Sequence, residues 1–240
     1  MKIEIWSDYA CPFCYIGKRR LEHALSQFPH SDGVEVVFRS FQLDPSAKVR
    51  GNQDIHDMLA AKYGMTRDKA VAMNAQLAEQ AKGVGLDFRF DTMLHTNTFD
   101  SHRLSHYAGS KGKAAEMSER LLRAYFTDSV NIGEHDVLAN LAAEVGLDEQ
   151  EVLKMLASDA YTDEVNADIN KGQQLGINGV PFFVINNKYA ISGAQPGPVF
   201  TEMLENVWAE EQSAPVLQTI GQTKSAESKD DGCADGSCEI

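Results

Sequence analysis

Positive charge is what this chain of 240 residues has least of: 22 Lys and Arg stand against 35 Asp and Glu, a formal net charge of −13. Nucleic acids and anionic membrane surfaces are held by clustered cations, so neither is an expected partner. Long apolar runs are missing, and nothing approaches the length of a membrane-crossing helix. No basic-then-apolar leader precedes the first strand, so no signal peptide is expected and the cytoplasm is the expected address. There is no internal repeat. Cysteine is sparse: the four fall in two close pairs, Cys11/Cys14 and Cys233/Cys238. In a reducing compartment such pairs point to redox traffic rather than to structural staples. The rest of the composition, 43% hydrophobic and 24% charged, suits a globular chain with a proper core. Its length fits one large domain or one domain with a sizeable insertion.

What is present is organised around residues 7–20, Ser-Asp-Tyr-Ala-Cys-Pro-Phe-Cys-Tyr-Ile-Gly-Lys-Arg-Arg. Before them, Lys2–Trp6 alternates polar and apolar residues as a short strand does. After them, Ile16, Leu21, Ala24, Leu25 and Phe28 recur at helical spacing. Cys11-Pro12-Phe13-Cys14 therefore sits where a strand turns into a helix. A helix start leaves N–H groups unpaired and favours negative charge, and a thiolate at Cys11 is the anion such a site stabilises. Pro12 suits the first helical turn, where its missing N–H costs nothing. Cys14 follows on the same side of that turn, close enough for a disulfide. Two other readings stand beside the redox one: half of a zinc site completed by Cys233 and Cys238, or inert core thiols. Zinc pairs usually sit on a turn rather than opening a long amphipathic helix, which favours redox.

Val34–Phe41 reads as a second strand, so strand, helix, strand implies a parallel pair with a crossover helix. From about Asp54 to Gly176 nearly every stretch has helical period, giving five to seven helices. Thr66 is the expected cap of one helix, and Asp148 with Glu151 has the spacing of a capping box. Phe88–Phe90 reads as a short extended piece. Val180–Ile185, a turn at Asn186-Asn187 and Tyr189–Ser192 form an expected hairpin, and Val199–Glu211 a closing helix with Phe200, Leu204, Val207 and Trp208 inward. From Ser213 the composition turns polar, as in a mobile tail.

Taken with Ser7-Asp8, the Cys11–Gly17 run, Gly176-Ile177-Asn178-Gly179-Val180-Pro181-Phe182-Phe183 and Ser192-Gly193-Ala194-Gln195, this order resembles the DsbA-like thioredoxin family, closest to its cytoplasmic FrnE-type members. The resemblance covers about residues 1–212, and the Cys-ended tail matches the FrnE-type extension. It implies an α/β thioredoxin fold with a large inserted α-helical subdomain: a thioredoxin-fold domain at 1–45 and 177–212, the insertion at 46–176, and a flexible tail at 213–240. It implies that Pro181 is cis and faces the dithiol, leaving the backbone of Val180 open to an extended substrate. It also places the helix carrying His102-Arg103 over the active-site cleft, where His102 would tune the thiolate or meet substrate; a solvated helix face is the plainer reading.

The function this implies is a thiol–disulfide oxidoreductase or isomerase. Cys11 forms a mixed disulfide with substrate and Cys14 resolves it, while Pro12 and Phe13 help set the reduction potential. The expected partners are cysteine-containing proteins and a thiol reductant or oxidant for recycling; no cofactor and no metal are expected. His95, His102 and His106 invite a metal reading, but no further ligand has fitting spacing. Cys233 and Cys238 flank Asp235-Gly236, a turn that would bring the sulfurs together, in an acidic setting that disfavours thiolate. The chain between the last helix and Cys233 spans roughly 25 Å as a flexible coil, so this second pair is expected to relay electrons to or from Cys11–Cys14. A tail clip and a metal site are the alternatives. The competing functions are a glutathione-dependent isomerase or transferase of the same fold, which typically carries Ser in place of the dithiol, and a non-catalytic holdase.

Overall fold

The computed structural model describes residues 1–50 and 53–213. The tail with Cys233 and Cys238 lies outside the described residues.

Strand β1 (Lys2–Ser7) leads into helix α1 (Pro12–Gln27) and then strand β2 (Glu35–Ser40). β1 and β2 pair in parallel, Ile5 opposite Phe38, so α1 is the crossover helix that the strand–helix–strand order implied. After the long helical segment come β3 (Phe182–Ile185) and β4 (Tyr189–Ser192), and the sheet order is β2-β1-β3-β4. β3 runs antiparallel to both β1 and β4. Asn186 and Asn187 both take positive φ, 52° and 53°, and the Lys188 N–H closes the turn on the Ile185 carbonyl at 2.9 Å. The short polar side chain of Asn tolerates that left-handed backbone. Helix α9 (Gly197–Ser213) closes the described chain and packs on α1.

Both faces of the sheet are covered. Ile3, Ile5, Phe183 and Ile185 point to one side, into a core with Leu21 and Ala24 of α1 and Phe200, Leu204 and Val207 of α9. The alternate residues Glu4 and Trp6 point to the other, toward helix α8 (Thr162–Gln174). Glu4 is buried there between Arg39 and Lys171, its carboxylate 2.9 Å from Lys171 Nζ. The Trp6 indole N–H donates to the Asp168 carbonyl at 2.9 Å. Gly172 makes this seat possible: a Cβ there would lie 2.8 Å from Trp6 Nε1. Helix α8 thus packs on the sheet.

The insertion runs through α2 (Ile55–Tyr63), α3 (Arg67–Lys82), α4 (Phe99–Ser110), α5 (Ala114–Phe126), α6 (His135–Glu144) and α7 (Glu149–Leu156) to α8. Its core holds Leu104, Met117, Leu121, Phe126, Leu138 and Val152, and joins the sheet domain through Tyr15 and Ile16 of α1. The Thr66 hydroxyl caps α3 by accepting from the Lys69 N–H, as expected. The capping box forms only by half. Asp148 accepts from the Glu151 N–H, but the Glu151 carboxylate turns outward to Tyr107 and Lys111 instead of returning to the cap. Phe88–Phe90 pairs with no strand; Phe90 opens a single 3-10 turn, and Arg89 N–H donates to the Phe126 carbonyl.

Candidate active site

Cys11 is the residue immediately before α1, with extended backbone (φ −97°, ψ 109°), and Pro12 occupies the first helical position. The Cys11 N–H donates to the Asp8 carbonyl at 3.0 Å, and the Cys14 N–H to the Cys11 carbonyl at 3.0 Å. The Cys11 side chain does not cap the helix; its Sγ donates to the Val180 carbonyl at 3.4 Å. Both thiols are reduced and each is 3% exposed, while Phe13 between them is 46% exposed. Burial pushes the Cys14 thiol well above its ordinary value, and the adjacent Cys11 pushes it further. Ser7 and the Asp8 backbone act the other way. The two sulfurs therefore differ: Cys11 faces a cavity and Cys14 lies behind it, held as a thiol.

The opposing wall is the Val180-Pro181 turn, whose peptide bond is cis. Gly17 lets α1 approach it, because a Cβ there would meet Pro181 Cγ at 3.1 Å and Phe183 Cζ at 3.2 Å. The Pro181 carbonyl accepts from the Gly193 N–H at 2.8 Å, and Arg20 of α1 donates to the Ala194 carbonyl. These bonds tie the dithiol helix, the proline turn and the 193–195 loop into one unit.

Among the described residues His102 makes no hydrogen bond with either thiol. It is buried against Tyr9, ring centroids 4.9 Å apart, with Nε2 3.5 Å from Asp8 Oδ1. That is an ion-pair distance without hydrogen-bond alignment, and Nε2 has no hydrogen-bond partner among the described residues. Asp8 holds the site from below. Its carboxylate accepts from the Leu43 N–H at 2.7 Å and the Ala10 N–H at 3.4 Å, bracing the turn that presents Cys11. Burial pushes the Asp8 carboxyl up, but His102, Leu43 and Thr98 outweigh it and hold the group below its ordinary range. An acid three residues before a cysteine carries no burial signal in a sequence. Arg103, the neighbour of His102, points away and caps the end of α7 through the carbonyls of Met155 and Leu156.

The three histidines of the metal reading each face a different carboxylate. His95 lies 3.0 Å from Asp44, His102 beside Asp8, and His106 3.1 Å from Asp168. Among the described residues no three metal-ligating side chains converge.

A cavity of about 540 Å³ opens beside Cys11, walled by Cys11, Pro12, Phe13 and Val180 on one side and by α2 and α3 on the other. A smaller one of about 280 Å³ lies behind, between α4 and β2, and His102 and Ser7 line it. Asp8 lines the first and His102 the second, so this pair forms part of the partition between them.

A buried dithiol at a helix start, facing a cis-proline turn across a mixed sheet, defines a thioredoxin-fold protein with a paired-cysteine site. A family model described as DSBA-like thioredoxin domain matches residues 2–205, and the chain belongs to that family. A "probable DsbA oxidoreductase" from Streptomyces coelicolor is 45% identical, over 92% of this chain and 94% of that one, with a TM-score of 0.85. A 2-hydroxychromene-2-carboxylate isomerase superposes with a TM-score of 0.69 at 15% identity, over 90% of this chain and all (100%) of that one. The cytosolic disulfide reductase DsbM from Pseudomonas aeruginosa, solved with GSH, gives 0.61 at 18% identity, over 87% and 100%. The last two are likenesses of fold alone.

Proposed function

We propose that this protein is a thiol–disulfide oxidoreductase or isomerase working through Cys11 and Cys14. The observation that carries the reading is the placement of Cys11: before α1, at the mouth of a cavity, 3.4 Å from the carbonyl that precedes cis Pro181. Cys11 attacks a substrate disulfide as the thiolate; the substrate S–S bond breaks, a mixed disulfide forms, and one substrate sulfur leaves and takes up a proton. Cys14 then gives up its proton and attacks the Cys11 sulfur. The Cys11–Cys14 disulfide forms, the second substrate sulfur leaves, and two electrons have passed to substrate. Pro12 and Phe13 shape the thiol's surroundings, Val180 and Pro181 form the face that substrate meets, and His102 supports the site through Asp8.

The partners in this reading are cysteine-containing proteins and a thiol reductant or oxidant, in the cytoplasm. No helix among the described residues is long and apolar enough to cross a membrane. Cys233 and Cys238 enter as a second redox pair that relays electrons, the FrnE-type part of the proposal, and they lie outside the described residues. Insulin disulfide reduction with dithiothreitol tests the whole. Cys11→Ser is expected to abolish activity, and the Cys233→Ser/Cys238→Ser variant to slow it; a fully active Cys11→Ser protein overturns the reading.

A glutathione-dependent isomerase or transferase is the second reading, favoured by the fold shared with the isomerase and with the GSH-bound reductase. It predicts formation of glutathione thiolate on the protein and full activity in Cys14→Ser. The acidic groups at the thiol end of the cavity, Asp8 and Asp44, work against a tripeptide with two carboxylates.

A further inference from the structure

The cavity beside Cys11 has a composition that selects a ligand. Its far walls are Met58, Leu59, Met73, Leu77, Phe90 and Met93, brought together from α2, α3 and the 90–93 segment. Methionine beside aromatic rings makes an adaptable lining that contacts flat π-systems well. A cavity of about 150 Å³ holds one benzene, and pockets for small ligands run from about 300 to 1,000 Å³. At about 540 Å³ this one is sized for a ligand of two or three rings.

Two carboxylates stand at the thiol end, with His95, another lining residue, 3.0 Å from one of them. Asp8 and Asp44 line it, both carboxyls held below their ordinary values: burial raises Asp8 but its partners outweigh that, and Ser46 and His95 lower Asp44. Lys62, exposed, is the one Lys or Arg among the lining residues. An anionic ligand is repelled where it must approach Cys11.

We propose that this cavity binds a small, uncharged aromatic disulfide, and that Cys11 and Cys14 reduce it to two aromatic thiols. The proposal rests on the thiol–disulfide reading above and adds a substrate class to it. Cys11 thiolate breaks the ligand S–S bond and forms a mixed disulfide, releasing the first aromatic thiolate, which takes a proton. Cys14, deprotonated, attacks Cys11 Sγ, closes the protein disulfide and releases the second. The reduced protein supplies both electrons, so one turnover needs no other reductant.

The test is single-turnover stopped flow with the reduced full chain. Dithiodipyridine, uncharged and aromatic, is expected to show a saturating rate. Its dicarboxylate counterpart dithiobis(nitrobenzoate) and glutathione disulfide are expected to rise linearly over the same range. Met73 lies on the exposed side of the wall, so Met73→Glu folds; it is expected to lower the rate ratio of dithiodipyridine to bis(hydroxyethyl) disulfide about tenfold. Linear kinetics with dithiodipyridine, an unchanged ratio in Met73→Glu, equal saturation by the anionic disulfides, or stronger competition from an apolar peptide disulfide would each overturn the proposal. Failure of the wider reading looks different: the protein would then oxidise with none of these compounds, bis(hydroxyethyl) disulfide included.

Discussion

Helix α4 carries two histidines one turn apart, and each meets a buried aspartate under opposite conditions. His106 Nε2 is hydrogen-bonded with the Ser40 hydroxyl at 3.2 Å and lies 3.1 Å from Asp168, which accepts from the Ser40 N–H at 3.0 Å and from Arg39 at 3.0 Å. Every oxygen of that carboxylate is occupied, and the cluster pins α8 to β2 beneath the sheet. His102, one turn earlier, approaches Asp8 only to 3.5 Å and leaves Nε2 without a hydrogen bond. Buried polar groups in native proteins are nearly always paired, and the exceptions concentrate where function competes with stability. The satisfied pair belongs to the scaffold. The unsatisfied one stands behind the dithiol, in the partition between the two cavities.

The sharpest test of that contrast is loss of the scaffold carboxylate. Asp168→Ala leaves Arg39 and His106 facing an empty buried site, and breaking a buried pair in this way costs about 3–5 kcal/mol. Arg39 keeps a second partner in Glu4, which argues for the lower end. Urea unfolding should show this loss, while the folded fraction still reduces disulfides in a single turnover. A variant as stable as wild type would break the comparison, because Asp168 would then hold nothing.

Acid comes next. Asp168 and Asp8 both have folded-state values below the ordinary 3.8: burial raises each, but His106 and Ser40 in one case and His102 and Leu43 in the other prevail. A depressed carboxyl contributes stability that is complete above its unfolded value and is lost as the pH falls through the lowered folded one. Stability should therefore hold down to about pH 4 and drop below it, by about 1.4 kcal/mol for each unit of depression. Asp168→Asn and Asp8→Asn should each flatten this limb, the first with little change in disulfide chemistry. Asp8→Asn should also slow reduction, since Asp8 braces the turn that presents Cys11. Acid curves that superpose on wild type would remove both carboxylates from the account.

Much of this architecture was legible in the residues. The resemblance to the DsbA-like family implied that Pro181 faces the dithiol. The alternation of Lys2–Trp6, the helical period after Cys14 and the Val-Pro run placed the first strand, the helix start at Cys11 and the hairpin after Val180. Each is a local signal whose meaning does not depend on distant chain. Asp8, Asp168 and the cavity were not legible, because each is made by segments far apart in sequence. Asp8 meets Leu43 and His102; Asp168 meets Ser40 and His106. The apolar residues of α2 and α3 look like ordinary core in the sequence, since helical period says which face is apolar but not whether protein covers it. Met73 of α3 is 44% exposed, and beside it the wall is open to ligand. The histidines at 102 and 106 share one helix face, and each has its own carboxylate.

The finest test separates those two histidines directly. His106→Gln removes one partner of a complete network, so its effect should be on stability, about 1 kcal/mol, the net worth of a buried hydrogen bond. His102→Gln removes a ring whose Nε2 makes no hydrogen bond, so global stability should shift less, within about 0.5 kcal/mol. What it changes is the charge and geometry behind Cys11. Loss of the imidazole takes away the chief group holding the Asp8 carboxyl down, so the acid limb of the single-turnover rate should move to higher pH in His102→Gln and stay in place in His106→Gln. His102 acts through Asp8, as a positioning residue, and a rate change of a fewfold, under about 1 kcal/mol, is what such a role produces. His102→Phe, which also removes the amide donor that Gln retains, should shift the limb further. If the two glutamine variants move stability and the rate profile alike, the histidines are equivalent scaffold and the open pair behind the dithiol has no part in its chemistry.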